Sequence, residues 1–174
     1  TAAVSEDEED AASTSAASLS PDGCTGSLLV VDDEANNRDV LSRRLTRQGH
    51  AVRTALNGRE ALKMLHESAF DLVLLDIMMP DMDGYEVLGR IKGDPHLQAI
   101  PVIMISALSE VQSVVRCLEA GAEDYLTKPF NPTLLKARIG ASLERKRGRD
   151  RETLLFEQLQ ENYKRLQVVE KLRD

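Results

Sequence analysis

Phe70-Asp71-Leu72-Val73-Leu74-Leu75-Asp76 runs into Ile77-Met78-Met79-Pro80, so a short aliphatic run ends on a carboxylate and then turns. A continuous apolar run of this length, bounded by a turn signal, reads as a strand covered on both faces, with Asp76 at its carboxyl end. Two other stretches repeat the arrangement. Leu28-Leu29-Val30-Val31 ends on Asp32-Asp33, and Asp124-Tyr125-Leu126-Thr127 ends on Lys128-Pro129. Three strand ends therefore present three carboxylates and one amine, and Asp76 is the candidate reactive group.

Outward from these runs, short Val/Leu/Ile-rich segments alternate with longer stretches of helical spacing. Strands are expected at about 28–32, 51–55, 70–75, 101–105 and 124–127, and helices at about 35–48, 58–67, 84–92, 110–120 and from 131 onward. Gly49 and Gly121 fall where the first and fourth helices should stop, Asn57-Gly58 turns into the second, and Pro132 suits a first helical turn. The alternation predicts an α/β fold, a five-stranded parallel sheet with helices on both faces. In such open sheets ligands gather outside the carboxyl ends of the strands, where strand order reverses. Asp32, Asp33, Asp76, Ser106 and Lys128 all belong to that edge.

With 174 residues, 42% of them hydrophobic, the chain can bury one ordinary core, and 3% aromatic content makes that core aliphatic. The net charge of −7 is unevenly placed: residues 1–26 carry six acids (Glu6, Asp7, Glu8, Glu9, Asp10, Asp22) and no base, which leaves the rest at −1. Acidity is thus a property of the first segment, whose Ala, Ser, Asp and Glu cannot offset the entropy of ordering; residues 1–26 read as a disordered acidic linker. No apolar run approaches the ~18 residues of a membrane span, and the acidic start lacks the basic and apolar regions of a secretory signal, so no membrane partner is expected. Cys24 and Cys117 are the only cysteines. No structural disulfide is expected, which fits a cytoplasmic location.

The last segment changes character. Leu134, Leu135, Arg138, Ile139, Ser142 and Leu143 form a first helical stripe, residues 144–151 are almost wholly charged, and a second stripe follows at Leu155, Leu159, Asn162, Leu166 and Val169. Spacings alternating between four and three match a coiled-coil seam, with Asn162 as a register-setting polar member. A helix from 131 to 174 would reach roughly 65 Å, too long for one small domain, so a projecting rod that pairs two chains into a homodimer is expected. The competing reading is a solvated helix that frays near Gly148. The basic residues of 145–151 are interleaved with Glu144, Asp150 and Glu152, which reads as a solvated helical surface and not as a nucleic-acid site.

Carboxylates crowded to about 4 Å repel by roughly 4 kcal/mol per pair at an effective dielectric near 20, so they share protons or bind a cation. Carboxylate, carbonyl and water ligands suit Mg2+. With such an ion and an ammonium group neutralising the equatorial oxygens, an aspartate can attack phosphorus, and Lys128 and Ser106 are placed to assist. Each residue also has a plainer reading. Asp32 and Asp33 could cap the first helix, Ser106 could be an ordinary strand-end hydroxyl, and Tyr125 could be simple core. Met78, Met79, Met82 and Met104 read as gap filling or loop packing. His50, His66 and His96 read as surface residues, and Cys117 as a packed thiol.

Taken in order, five elements make the chain resemble the receiver domain of two-component response regulators. They are Asp32-Asp33, Asp76 followed by Ile77-Met78-Met79-Pro80-Asp81-Met82-Asp83-Gly84, Ser106-Ala107, Tyr125, and Lys128-Pro129-Phe130. The resemblance covers about residues 27–145 and leaves 146–174 as a coiled-coil linker toward an output domain. It implies a flavodoxin-like (CheY-like) fold, with Asp76 as the phosphoacceptor. It also implies Mg2+ held by Asp33 directly, by Asp32 through water, and by Asp76 and the Met78 carbonyl. Ser106 and Lys128 would contact the phosphoryl oxygens, Tyr125 would report the switch, and Pro129 would follow a cis peptide bond. The implied partner is a histidine kinase or phosphotransfer protein. Apolar Met78 and Leu108 beside the site suggest slow loss of phosphate.

Three other readings compete. An aspartyl-phosphate hydrolase of the dehalogenase-like group would carry a second Asp two residues after the nucleophile, where this chain has Met78. A flavodoxin-like cofactor binder would not place Asp32-Asp33-Glu34 against a phosphate. The terminal stretch resembles a signalling helix leading into a histidine kinase or a nucleotide cyclase, so the chain can also be read as the receiver fragment of such an enzyme.

Overall fold

A computed structural model of the chain describes residues 25–107, 111–129 and 131–173. The expectations for residues 1–24, Leu108 and Phe130 lie outside that set. The described chain folds as β1 (Ser27–Val31), α1 (Ala35–Arg47), β2 (Ala51–Ala55), α2 (Gly58–Glu67), β3 (Leu72–Asp76), α3 (Gly84–Gly93), β4 (Val102–Ser106), α4 (Val111–Glu119), β5 (Asp124–Thr127) and α5 (Pro132–Arg173). All neighbouring strands are parallel, in the order β2-β1-β3-β4-β5. The expected borders hold to within about two residues, and Asp76 and Ser106 prove to be the last residues of their strands rather than the first of the loops.

Side-chain alternation along the strands divides the core in two. Leu29, Val31, Val73, Leu75, Val102 and Met104 face α2, α3 and α4 through Ala61, Leu65, Val87, Ile91 and Cys117. Leu28, Val30, Leu72, Leu74, Ile103 and Ile105 face α1 and α5 through Leu41, Leu45, Leu135, Ile139 and Leu143. Because both faces are covered, β3 and β4 are buried at every position, whereas the edge strands β2 and β5 are only partly so. That is why the central strands read as continuous apolar runs. Helix ends follow local chemistry. Asn57 caps α2 by accepting from the Glu60 amide at 2.8 Å, and Asp83 caps α3 through the Glu86 amide at 2.9 Å. Gly49 and Gly121 take φ of 97° and 103° just past α1 and α4, a region that glycine enters without a Cβ clash.

Two expectations need correction. Met78 is 60% exposed and fills no gap in the core, while Met79, Met82 and Met104 are buried as expected. His50 is buried, and its Nδ1 accepts a hydrogen bond from the Gly26 amide at 3.2 Å, tying the loop after α1 to the start of β1. Burial holds its pKa below the ordinary 6.5, because the charged ring would lose its hydration. A folded value below the unfolded one means that this stabilisation is complete above 6.5 and is lost as pH falls from there through the lowered folded value. Urea unfolding of His50→Gln is therefore expected to show a weaker loss of stability below pH 6.5 than the parent chain. Parallel curves would contradict this account of His50.

α5 runs unbroken for 42 residues, roughly 63 Å, through Gly148. Its buried residues end at Leu143, and every described position from 151 to 173 is exposed. The rod expected from the sequence is present, without fraying at Gly148. Among the described residues no helix is long and apolar enough to cross a membrane.

Candidate phosphoryl-transfer site

The chain leaves β1 for β2 on one side and later returns to β3 on the other, so the carboxyl ends of β1 and β3 form the switch point of the sheet. Asp32 and Asp33 follow β1 there, and Asp76 closes β3. Their carboxylate oxygens lie within 4.8 Å of one another. Asp32 and Asp76 are buried and Asp33 is exposed, an arrangement open to solvent on one side. Asp32 does not cap α1. Its Oδ1 accepts from the Glu34 amide at 2.9 Å, its backbone carbonyl accepts from Arg38 Nη1 at 2.6 Å, and Glu34 is the residue at the helix start.

Lys128 enters from the end of β5. Its amide donates to the Ser106 carbonyl at 2.8 Å, and the following Lys128-Pro129 peptide is cis. Its ammonium sits 3.0 Å from Asp32 Oδ2 and 3.4 Å from Asp76 Oδ2. Three carboxylates and one ammonium leave two net negative charges. Hard oxygen donors with that residual charge fit a divalent cation such as Mg2+.

The electrostatics agree with this reading. Burial, aided by the Asp32 carboxylate, raises the pKa of Asp76 to about 6 against the Lys128 ammonium and the Met78 amide, which donates to Asp76 Oδ1 at 3.3 Å. Lys128 is itself held above its ordinary range: burial opposes the charge, and the two carboxylates outweigh it.

Ser106, fully buried, ends β4 beside Thr127 in the sheet register. Its hydroxyl shares a hydrogen bond with that of Tyr125, which is half-buried beside Tyr85 and Cys117. Cys117 is packed, as expected. His66 lies on α2 facing Asp94 at 3.4 Å and His96 is exposed; neither approaches the site.

The reason for glycine at position 84 is geometric. A Cβ at that position would lie 2.4 Å from the Asp76 carbonyl oxygen and 2.7 Å from Ile77 Cα, and the Gly84 amide donates to the Ile77 carbonyl at 2.9 Å. Only glycine lets the first turn of α3 close so tightly over the end of β3. An apolar recess of about 450 Å³ between α1 and the Lys128-Pro129 turn, lined by Asn37, Val40, Leu41 and Ala107, is not legible in the sequence. Its residues come from three distant segments, which no local pattern could join.

Fold and acidic edge together define an α/β module built around a strand-end aspartate. The chain belongs to the response regulator receiver domain family, whose family model matches residues 28–140. It is therefore a receiver domain of two-component systems, a phosphorylation-dependent signalling module. A probable transcriptional regulator from Cyanidium caldarium is 49% identical over 118 residues, covering 68% of this chain and 46% of the relative. A probable cyclic di-GMP phosphodiesterase from Vibrio cholerae is 42% identical over 127 residues, covering 73% of this chain and 28% of the relative. Among solved structures, the signal receiver domain of a signal transduction histidine kinase from Syntrophus aciditrophicus superposes with a TM-score of 0.64. It is 38% identical, and the match covers 68% of this chain and 90% of that one. The chain spans about half, or less, of the length of these two curated relatives.

Proposed function

We propose that Asp76 is the phosphoacceptor and that a histidine kinase or phosphotransfer protein is the donor. The observation that carries this is the cluster itself: three carboxylates within 4.8 Å, with Lys128 Nζ bridging Asp32 and Asp76. An Asp76 oxygen forms the new bond to phosphorus as the P–N bond of the donor's phosphohistidine breaks, its electron pair returning to the imidazole. Asp33 and Asp32, with Asp76 and the Met78 backbone carbonyl, would hold Mg2+, which supplies charge neutralisation at the equatorial phosphoryl oxygens. Lys128 pairs with one of those oxygens and the Ser106 hydroxyl donates to another. Engaging the phosphoryl group takes the Ser106 hydroxyl from Tyr125, and the tyrosine ring is then free to change rotamer.

Residues 27–145 form the receiver, and 146–174 carry its signal toward an output domain. Similarity extends to relatives with transcriptional, phosphodiesterase and kinase names, so the receiver does not specify that output. We assign the rod to self-association. Leu155, Leu159, Leu166 and Val169 are each more than half exposed on one helix, and together with Asn162 they keep the spacing of a seam.

Sedimentation of the chain with Leu159 and Leu166 both changed to Asp is expected to show monomers where the parent dimerises, a weakening of about 100-fold or more, since four buried leucines are lost per pair. An unchanged sedimentation profile would remove the rod from the interface. Phosphorylation state enters the same experiment through beryllofluoride with Mg2+, which should shift the parent chain's association and leave the double variant monomeric.

A further inference from the structure

The basic segment that opens the rod is largely exposed, as its sequence predicts, but it also reaches back to the domain. Arg145 Nε lies 2.7 Å from Glu123 Oε1, and Arg149 Nη1 lies 3.6 Å from Glu123 Oε2, one helical turn along. Lys146, largely buried, donates to Asp150 of its own helix at 2.7 Å and stands 3.8 Å from Asp71 Oδ1, while Arg147 donates to the Thr25 carbonyl. Thr25, Asp71 and Glu123 immediately precede or closely approach the starts of β1, β3 and β5. The rod is therefore tied, over little more than one turn of helix, to the amino edge of the sheet at three strands, on the side opposite the carboxylate cluster.

We propose that these four basic side chains form a polar socket that fixes the direction in which the rod leaves the domain, and that Glu123 passes movement of β5 to it. One exposed ion pair contributes little by itself. Contacts to three separate strand starts, with Arg145 and Arg149 sharing Glu123 on one face, restrict the tilt of the helix, and they flank Gly148, the weakest helix former in the segment.

β5 supplies the connection. It is an edge strand, paired only with β4, and so has fewer restraints than β1, β3 or β4. Its carboxyl end carries Lys128, bound to Asp32 and Asp76. Glu123 lies at its amino end, about 16 Å away along an extended chain. Arg138 of α5 grips Asp124 as well, at 3.0 Å. A new dianion on Asp76 draws Lys128 away from Asp32, the strand shifts along its own direction, and Arg145 and Arg149 read that shift at Glu123. This step rests on Asp76 as the phosphoacceptor; the socket itself does not.

The test uses the full chain with Cys24 changed to Ser, the buried Cys117 kept, and spin labels at Lys63→Cys on α2 and Gln167→Cys on the rod, diluted in unlabelled chain. The parent should give one narrow distance distribution that moves when beryllofluoride and Mg2+ are added. In Glu123→Gln, and separately in Arg145→Gln with Arg149→Gln, the distribution should broaden and the shift should be lost, while fluorine NMR still shows beryllofluoride bound. Equal widths and shifts in parent and variants would overturn the socket. A narrow parent distribution that ignores bound beryllofluoride would overturn the transmission through Glu123. Absence of a bound fluorine signal in the parent would instead sink the Asp76 reading, and the widths without beryllofluoride would still decide the socket.

Discussion

Asp76→Asn is expected to abolish phosphoryl uptake from acetyl phosphate and Mg2+, while making the metal-free protein more stable. The two effects have one origin. Asp76 sits in a desolvated place beside Asp32, which raises its pKa from 3.8 to about 6. A folded value above the unfolded one favours the protonated folded form, so the stability it contributes is complete below 3.8 and is lost as pH rises through about 6. At neutral pH the ionised side chain thus costs the fold on the order of 3 kcal/mol, from a shift of about two pH units. Asparagine keeps the shape and has no charge to desolvate, but it has no carboxylate to attack phosphorus. Urea unfolding in EDTA should place the variant above the parent at pH 7, with the gap closing toward pH 4. Retained phosphate in the variant would move the acceptor elsewhere, and a less stable variant would contradict the electrostatic account.

Lys128→Met should slow phosphoryl uptake by about 10²–10³-fold, the usual cost of removing one preorganised charge partner from a transition state. Metal binding should respond in the opposite direction. With the ammonium gone, the cluster goes from two net negative charges to three, and calorimetric Mg2+ affinity should rise even as the reaction slows. A variant that lost both would show that Lys128 mainly holds the carboxylates in place. One that kept its rate would place the ammonium outside the chemistry.

The sequence disclosed the parts of the fold whose cause is local. Leu28–Val31, Leu72–Asp76 and Val102–Ser106 are covered on both faces, so they read as unbroken aliphatic runs with sharp ends. Those ends carried the site residues, and Asp32, Asp33, Asp76, Ser106 and Lys128 do converge at one edge. What stayed hidden depends on approach between distant segments. His50 looks like any loop histidine until Gly26 comes against it. Met78 shares an apolar neighbourhood in sequence but points away from the core.

The basic segment is the clearest case. Its arginines alternate with acids, the pattern of a solvated helix, and the acids that hold it are Asp71 and Glu123, far off in the chain and brought beneath the rod only by the parallel sheet. Gly84 was visible as part of a motif. Its reason, that a Cβ there would lie 2.4 Å from the Asp76 carbonyl oxygen, is visible only in three dimensions.

The most direct test of the central claim is chemical. The chain is phosphorylated with acetyl phosphate and Mg2+, reduced with borohydride so that an acyl phosphate becomes homoserine, and sequenced by peptide mass spectrometry. Homoserine at position 76 and at no other aspartate is the predicted result; homoserine at Asp32 or Asp33, or none at all, would contradict it.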